Sequence, residues 1–400
     1  MDRSWGGSRI LAVAGPLDGL SGDGINAALS ALAGSSGTPR LAIEPQQTGE
    51  LWPYQTDVAE RAIHVVESSD AFDLGQLLTD IGNRTGQRNS TDVFLVHDYL
   101  VVEYPHAVGD GHYGRCLLDA LVSGASRLPP DLSRNVVWRA LWRHYSTEPA
   151  RILALWRLRN GQRSNVVEAP RQRTAIEWRS ARRVSVGRID SARLAELQSW
   201  VAECAPGSTR VAVTSALWLA ALRAKQVPVD ERVVVLINCR RYLAAEEQGA
   251  VGNFAVGVPL LIGTLPPDQI TSLLREVIET GWPLAAIGMG ELRSRVWRSA
   301  PADANDGATV PDRIRLSVSD MGRAPYDHFP WTRDRPRHAT AFVDLDSPGA
   351  MTVVVSDVGD GRNVAVTYCA DTVPCDVVES AIEQICTDPI GTLTAGMTAG

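Results

Sequence analysis

A chain of 400 residues, 44% hydrophobic and 21% charged, exceeds what one core usually supports and has an ordinary globular composition, so two domains are expected with a functional cleft between them. A formal net charge of −7 lacks the basic footprint that nucleic acid requires, which excludes it as the main partner. The start, Met1-Asp-Arg-Ser-Trp-Gly-Gly, has no apolar signal core, no apolar run approaches a bilayer span, and the six cysteines form no C-x-x-C pair. These features predict a cytoplasmic protein with reduced thiols, no metal site and no membrane span.

In chain order, Ser8 to Leu17 is an apolar run suited to a strand, and Asp23 to Ala33 reads as a short amphipathic helix. Arg61 to Val66 and Val93 to Glu103 read as strands, the second nearly continuous in Val, Phe, Leu and Tyr and therefore central in a sheet. Helices are predicted at Gly114 to Ser123 and around Ser133 to Arg143. Between Arg134 and Arg193 fourteen arginines stand against four acidic residues. That stretch is either a solvated connector with arginines lying over apolar surface, or a docking stripe for a phosphate-bearing donor.

The second half opens with helices at Ser191 to Glu203 and Ser208 to Lys225, the latter long and buried. Val233 to Asn238 and Gly252 to Leu261 read as strands, and Pro267 to Trp282 as a helix with Asp268 in its first turn. Strands follow at Arg315 to Ser319, Ala341 to Leu345, Met351 to Val355 and Asn363 to Tyr368, before a helix from Pro374 to Cys386. Strands and helices interleave without a phosphate-binding glycine motif, so the chain is an α/β protein outside the common nucleotide-binding folds.

The chemistry concentrates at His106-Ala-Val-Gly-Asp110-Gly111, just past the strongest strand. A histidine at a strand end is aimed by a rigid element yet open to substrate, and an imidazole near its ordinary pKa of about 6.5 accepts a proton at neutral pH. Gly109 and Gly111 would let the backbone turn into the next helix. The alternative for His106 is a turn cap, and for Asp110 a turn-stabilising side chain.

His106, Asp110 and Gly111 match the H-x-x-x-D-G signature, and the chain resembles the CoA-dependent acyltransferase superfamily, which includes condensation domains, plant-type BAHD enzymes and polyketide-associated acyltransferases. Ile237 to Leu243 resembles that family's strand ending in an arginine, Gly252-Asn253-Phe254 its following turn, and Leu316 to Arg323 its late strand. Two departures stand out: Pro105 replaces the first histidine of many condensation domains, and the BAHD D-F-G-W-G signature is absent.

The resemblance implies two chloramphenicol-acetyltransferase-like α/β sandwich subdomains, at 1–170 and 191–400 with a crossover linker at 171–190, and an active-site channel at their interface. It implies an acyltransferase in specialised-metabolite biosynthesis, with His106 as general base and Gly111 offering its N–H to an oxyanion. Asp110 would pair with Arg240, Arg241 being the competitor, to lock the loop. Ser317, Ser319 and Asn253 are candidates for oxyanion or acceptor contacts, although a strand's alternate serines also suit a plain polar face. The acyl donor would be acyl-CoA or an acyl-phosphopantetheine carrier protein, with no permanently bound cofactor. Partners would be a small-molecule acceptor and a carrier protein, and the chain would be a monomer. The alternatives are a non-catalytic condensation-like module, or a cyclase or dehydratase using the same pocket.

Overall fold

Among the described residues, eleven strands divide into two sheets. In chain order they are β1 (Arg9–Gly15), β2 (Ile63–Val66), β3 (Asp92–Val96), β4 (Tyr99–Pro105), β5 (Arg182–Ile189), β6 (Arg232–Asn238), β7 (Ala255–Leu261), β8 (Arg315–Arg323), β9 (His338–Val343), β10 (Ala350–Val358) and β11 (Gly361–Cys369). The computed structural model describes residues 8–35, 39–44, 52–54, 63–66, 72–86, 88–163, 178–296 and 312–398.

The first sheet has the order β2-β3-β4-β1-β9. Its strands β1, β3 and β4 bury both faces, which is why they read as continuous apolar runs, while the edge strand β2 leaves Val65 exposed. On one face Ile10, Ala12, Leu100, Val102 and Tyr104 meet the helices Gly22–Gly34 and Gly111–Ser123. On the other, Leu11, Val13, Phe94 and Val101 meet the helix Leu74–Asn83 and Val184 of β5.

The second sheet has the order β5-β11-β10-β8-β6-β7. Its outer face lays Leu316, Val318, Met351, Val353, Val355, Val364 and Val366 around the helix Arg210–Ala224. That helix is buried from Ala212 to Leu222 save Ala216, so its sequence is apolar on every side rather than along a stripe. The inner face of β10 instead turns Val354 and Val358 into the core of the first lobe, beside Ala339 and Ala341 of β9.

Several elements differ from the sequence reading. The single strand expected over Val93 to Glu103 is a hairpin, with β3 and β4 antiparallel and Val96 opposite Tyr99. Its turn is His97-Asp98, with His97 in the left-handed region at φ 53°, and the surrounding hydrophobicity hides this short polar break. The helix expected at Gly114 begins at Gly111 because Asp110 caps it, accepting the His112 N–H. The arginine-rich stretch is not only connector: it holds the helices Val136–Ser146 and Ala150–Gly161 and the strand β5. Residues 164–177 of that stretch, and Arg61 and Ala62 of an expected strand, lie outside the described residues.

The sheets also ignore a division of the chain at 170 and 190. β5 falls within the expected linker yet pairs with β11 along its whole length. β9, far into the second half, pairs with β1 from Ile10↔Val343 to Gly15↔His338. Backbone pairing decides this: β1 has two edges to satisfy, and β4 covers one while β9 covers the other.

Candidate active site

His106 follows the last residue of β4 and is held from both sides by backbone contacts. Its N–H donates to the Ser8 carbonyl at 2.8 Å, just ahead of β1. Its carbonyl and that of Ala107 accept from Asn253 Nδ2 at 2.9 and 3.2 Å. Asn253 lies in the second half of the chain, so the histidine's backbone is clamped between two strands of one lobe and a turn of the other. His106 is 8% exposed, so the histidine expected to be open to substrate is buried at the junction.

Four residues on, Asp110 is turned into the protein. Oδ2 lies 2.8 Å from Arg240 Nη1 and accepts the Phe254 N–H at 3.0 Å, while Oδ1 accepts from Arg240 Nη2 at 3.3 Å and from the His112 N–H at 3.1 Å. Burial alone would raise its pKa, but Arg240 and the Phe254 N–H outweigh burial and hold the carboxyl below the ordinary range. Arg240 in turn donates through Nε to Ala250 O at 2.9 Å and through Nη2 to Gly252 O at 2.8 Å. Arg241, the competitor, is exposed and donates to Asn238 O at 3.3 Å.

The local sequence explains the shape of this loop. Tyr104 reaches back to donate its hydroxyl to Asp110 O at 3.0 Å, and it fits only because residue 114 is glycine, where a Cβ would fall 2.4 Å from that hydroxyl. Gly109 leaves room for Tyr113, whose Cβ a side chain at 109 would meet at 2.4 Å. The glycines of the motif thus serve close packing, since neither Gly109 nor Gly111 has a positive φ. Gly111 is the first helical residue, where a backbone N–H has no acceptor within the helix. His112, by contrast, is a packing histidine: Nε2 sits 3.2 Å from Gly249 O, and burial together with Arg240 pushes its pKa down.

Ser317 and Ser319 lie half-buried on β8, on the side opposite Leu316 and Val318 and shared with Met321. Met321 brings the strand to the loop: a Cβ at Gly111 would lie 3.3 Å from Met321 Cε, and Arg115 donates to Met321 O at 3.2 Å. The structure therefore joins His106, Asp110, Gly111, Arg240 and Asn253 in one tight assembly, and the two serines approach it through Met321. One concavity lies between β5 and the helix Cys375–Thr387, and a small one is lined by Arg115, Met321, Thr340 and Ser356.

Sequence reasoning missed a second group of charges on the same strand. Glu103 is fully buried, with Arg9 Nε at 2.6 Å, Arg84 Nη2 at 2.6 Å and Arg88 Nη1 at 2.8 Å. Asp92 beside it pairs with Arg84 and His64 and accepts from Asn89, and these bonds hold it below the ordinary carboxylate range despite its burial. The cluster ties β1 to β4 immediately before His106, since Arg9 is in register with Pro105. The available signal was a lone glutamate in the apolar run Leu-Val-Val-Glu-Tyr, because a carboxylate buried there demands a cation.

Solved structures share this two-sheet architecture over nearly the whole chain. The condensation domain of the monacolin K polyketide synthase MokA aligns at 13% identity with a TM-score of 0.60, covering 98% of this chain and 91% of that one. The trichothecene 15-O-acetyltransferase TRI3 from Fusarium sporotrichioides aligns at 11% identity with a TM-score of 0.58 and the same coverages. The chain has the fold of these condensation and acetyltransferase domains. An epimerization domain of tyrocidine synthetase B also has this fold, at 14% identity and a TM-score of 0.55, covering 100% of this chain and 93% of that one. No protein-family model matches the sequence, and no curated protein does. Among the described residues no helix is long and apolar enough to cross a membrane.

Proposed function

We propose that the chain is an acyltransferase in which His106 moves an acyl group from a CoA or carrier-protein thioester to a hydroxyl or amine. The observation that carries the reading is the division of labour within six residues. Asp110 is spent on Arg240, and His106 stands at the lobe junction with its backbone clamped by Ser8 and Asn253. An imidazole so held takes the proton from the acceptor as the acceptor attacks the thioester carbonyl. The Gly111 N–H, at a helix N-terminus, offers a donor to the tetrahedral oxyanion. Collapse breaks the C–S bond, and the imidazolium returns its proton to the departing thiolate. Ser317 and Ser319 are proposed as contacts for the oxyanion or the acceptor, while Asn253, its amide N–H groups committed to the His106 and Ala107 carbonyls, positions the loop.

A second reading is favoured by the epimerization domain, which uses this fold for a different reaction: His106 would move a proton on a tethered intermediate without acyl transfer. Mass spectrometry of purified protein with a panel of acyl-CoA and acyl-carrier donors separates the two. His106→Ala should lower acyl transfer by about 10²- to 10⁴-fold. Equal transfer by wild type and variant removes the general base. Exchange of substrate hydrogen with deuterated water, dependent on His106 and without transfer, replaces the first reading with the second.

A further inference from the structure

The helices Val136–Ser146 and Ala150–Gly161 carry an outer surface unlike the rest of the chain. Trp142 is 77% exposed and Trp156 63%, with Ile152 and Leu153 more than half exposed beside Trp156. Their inner faces account for the opposite pattern: Val136, Val137 and Ala140 are buried with Phe254 and Leu243, and Leu158 is buried in the second lobe's core. Residues 134–163 hold seven arginines and a single acidic residue, Glu148, in a chain whose net charge is −7. Glu148 is already paired with Arg151 at 2.7 Å and Arg139 with Glu247, and among the described residues no carboxylate pairs with Arg157 or Arg159. On the helix Ala150–Gly161 the arginines 157 and 159 flank the apolar group on either side.

We propose that this helical pair is a docking surface for an anionic membrane, on which the protein sits without crossing it. Large aromatic and aliphatic side chains bordered by arginine suit the boundary between acyl chains and negatively charged headgroups. A fluid bilayer also needs no groove to receive. The inner side of the first helix packs on Phe254, whose N–H is bonded to Asp110. The docking face is therefore one layer of side chains from the loop bearing His106. The inference does not rest on acyl transfer, and its test uses no activity.

The test is co-sedimentation of the full chain with vesicles of phosphatidylcholine alone or containing phosphatidylglycerol. Binding to the anionic vesicles only is expected. Trp142→Ser with Trp156→Ser should abolish it, and Arg157→Gln with Arg159→Gln should weaken it roughly thirtyfold, at unchanged thermal midpoint. Absence of vesicle binding, or binding indifferent to both pairs of substitutions, overturns the proposal. Two other results also overturn it, by assigning the face to a protein: dimerisation reversed by the tryptophan substitutions, or a complex with an acidic acyl carrier protein lost on the arginine substitutions, each without vesicle binding.

Discussion

Two buried carboxylates flank His106, and they are neutralised in different ways. Asp110 faces one guanidinium, which comes from the turn Cys239–Tyr242 just after β6, and both groups are almost fully buried. Glu103 faces three, from Arg9, Arg84 and Arg88, all in the first lobe and all partly reached by water. The difference is one of redundancy. Loss of Arg240 leaves the Asp110 charge with only the His112 and Phe254 N–H groups in a dry junction, whereas at Glu103 two arginines remain after any one is lost. The first arrangement couples the lobes and the second stiffens one of them.

The sharpest test of that contrast is removal of either member of the cross-lobe pair. Arg240→Ala or Asp110→Ala should each cost about 3 to 5 kcal/mol in chemical denaturation, and the double variant should cost less than the two added together. Additive losses would mean the pair is not coupled. Next in size is Gly109→Ala, which sets a Cβ against Tyr113 and should cost about 1 to 3 kcal/mol, while Gly111→Ala, facing only the mobile end of Met321, should cost well under that. Equal costs would show that the loop's shape is not set by Tyr113. Smallest is Arg88→Ala, where Arg9 and Arg84 still hold Glu103 and the loss should stay below about 1 kcal/mol.

Acid titration sharpens the same comparison. Asp110 and Asp92 both lie below the ordinary carboxylate range when folded, so each takes up protons more readily in the unfolded chain. Their contribution is fully present above about pH 4 and declines as pH falls through the folded values. The denaturation midpoint followed from pH 7 to pH 3 should therefore fall, and Asp110→Asn should flatten the descent. An unchanged slope would show that Asp110 is not ionised in the folded protein.

The candidate site was legible in the sequence to the extent that its parts are local. His106, Asp110 and Gly111 sit in one short segment, and Arg240 and Asn253 ride on recognisable strand and turn patterns. The Glu103 cluster was not legible, because its arginines lie at 9, 84 and 88 and nothing in their spacing announces that three elements converge. The hairpin at His97-Asp98 was hidden for a different reason, since two polar residues do not interrupt the hydrophobicity of the run around them. Most elements of the second half were read in place. Helices that were not read at all include Leu74–Asn83, which is amphipathic and buries Leu74, Leu78 and Ile81, and Ala150–Gly161, which has no apolar stripe and buries Leu158 alone.

β9 carries a consequence for how the molecule comes into being. The ribosome delivers β1 more than 300 residues before the strand that covers its open edge. Until His338–Val343 emerges, the first sheet has a long apolar border with unpaired amides, a natural site for association with other nascent chains. A fragment ending at residue 170 should inherit that border permanently and aggregate, which light scattering would show. The two lobes are thus halves in outline only, sewn together by the late return of one strand.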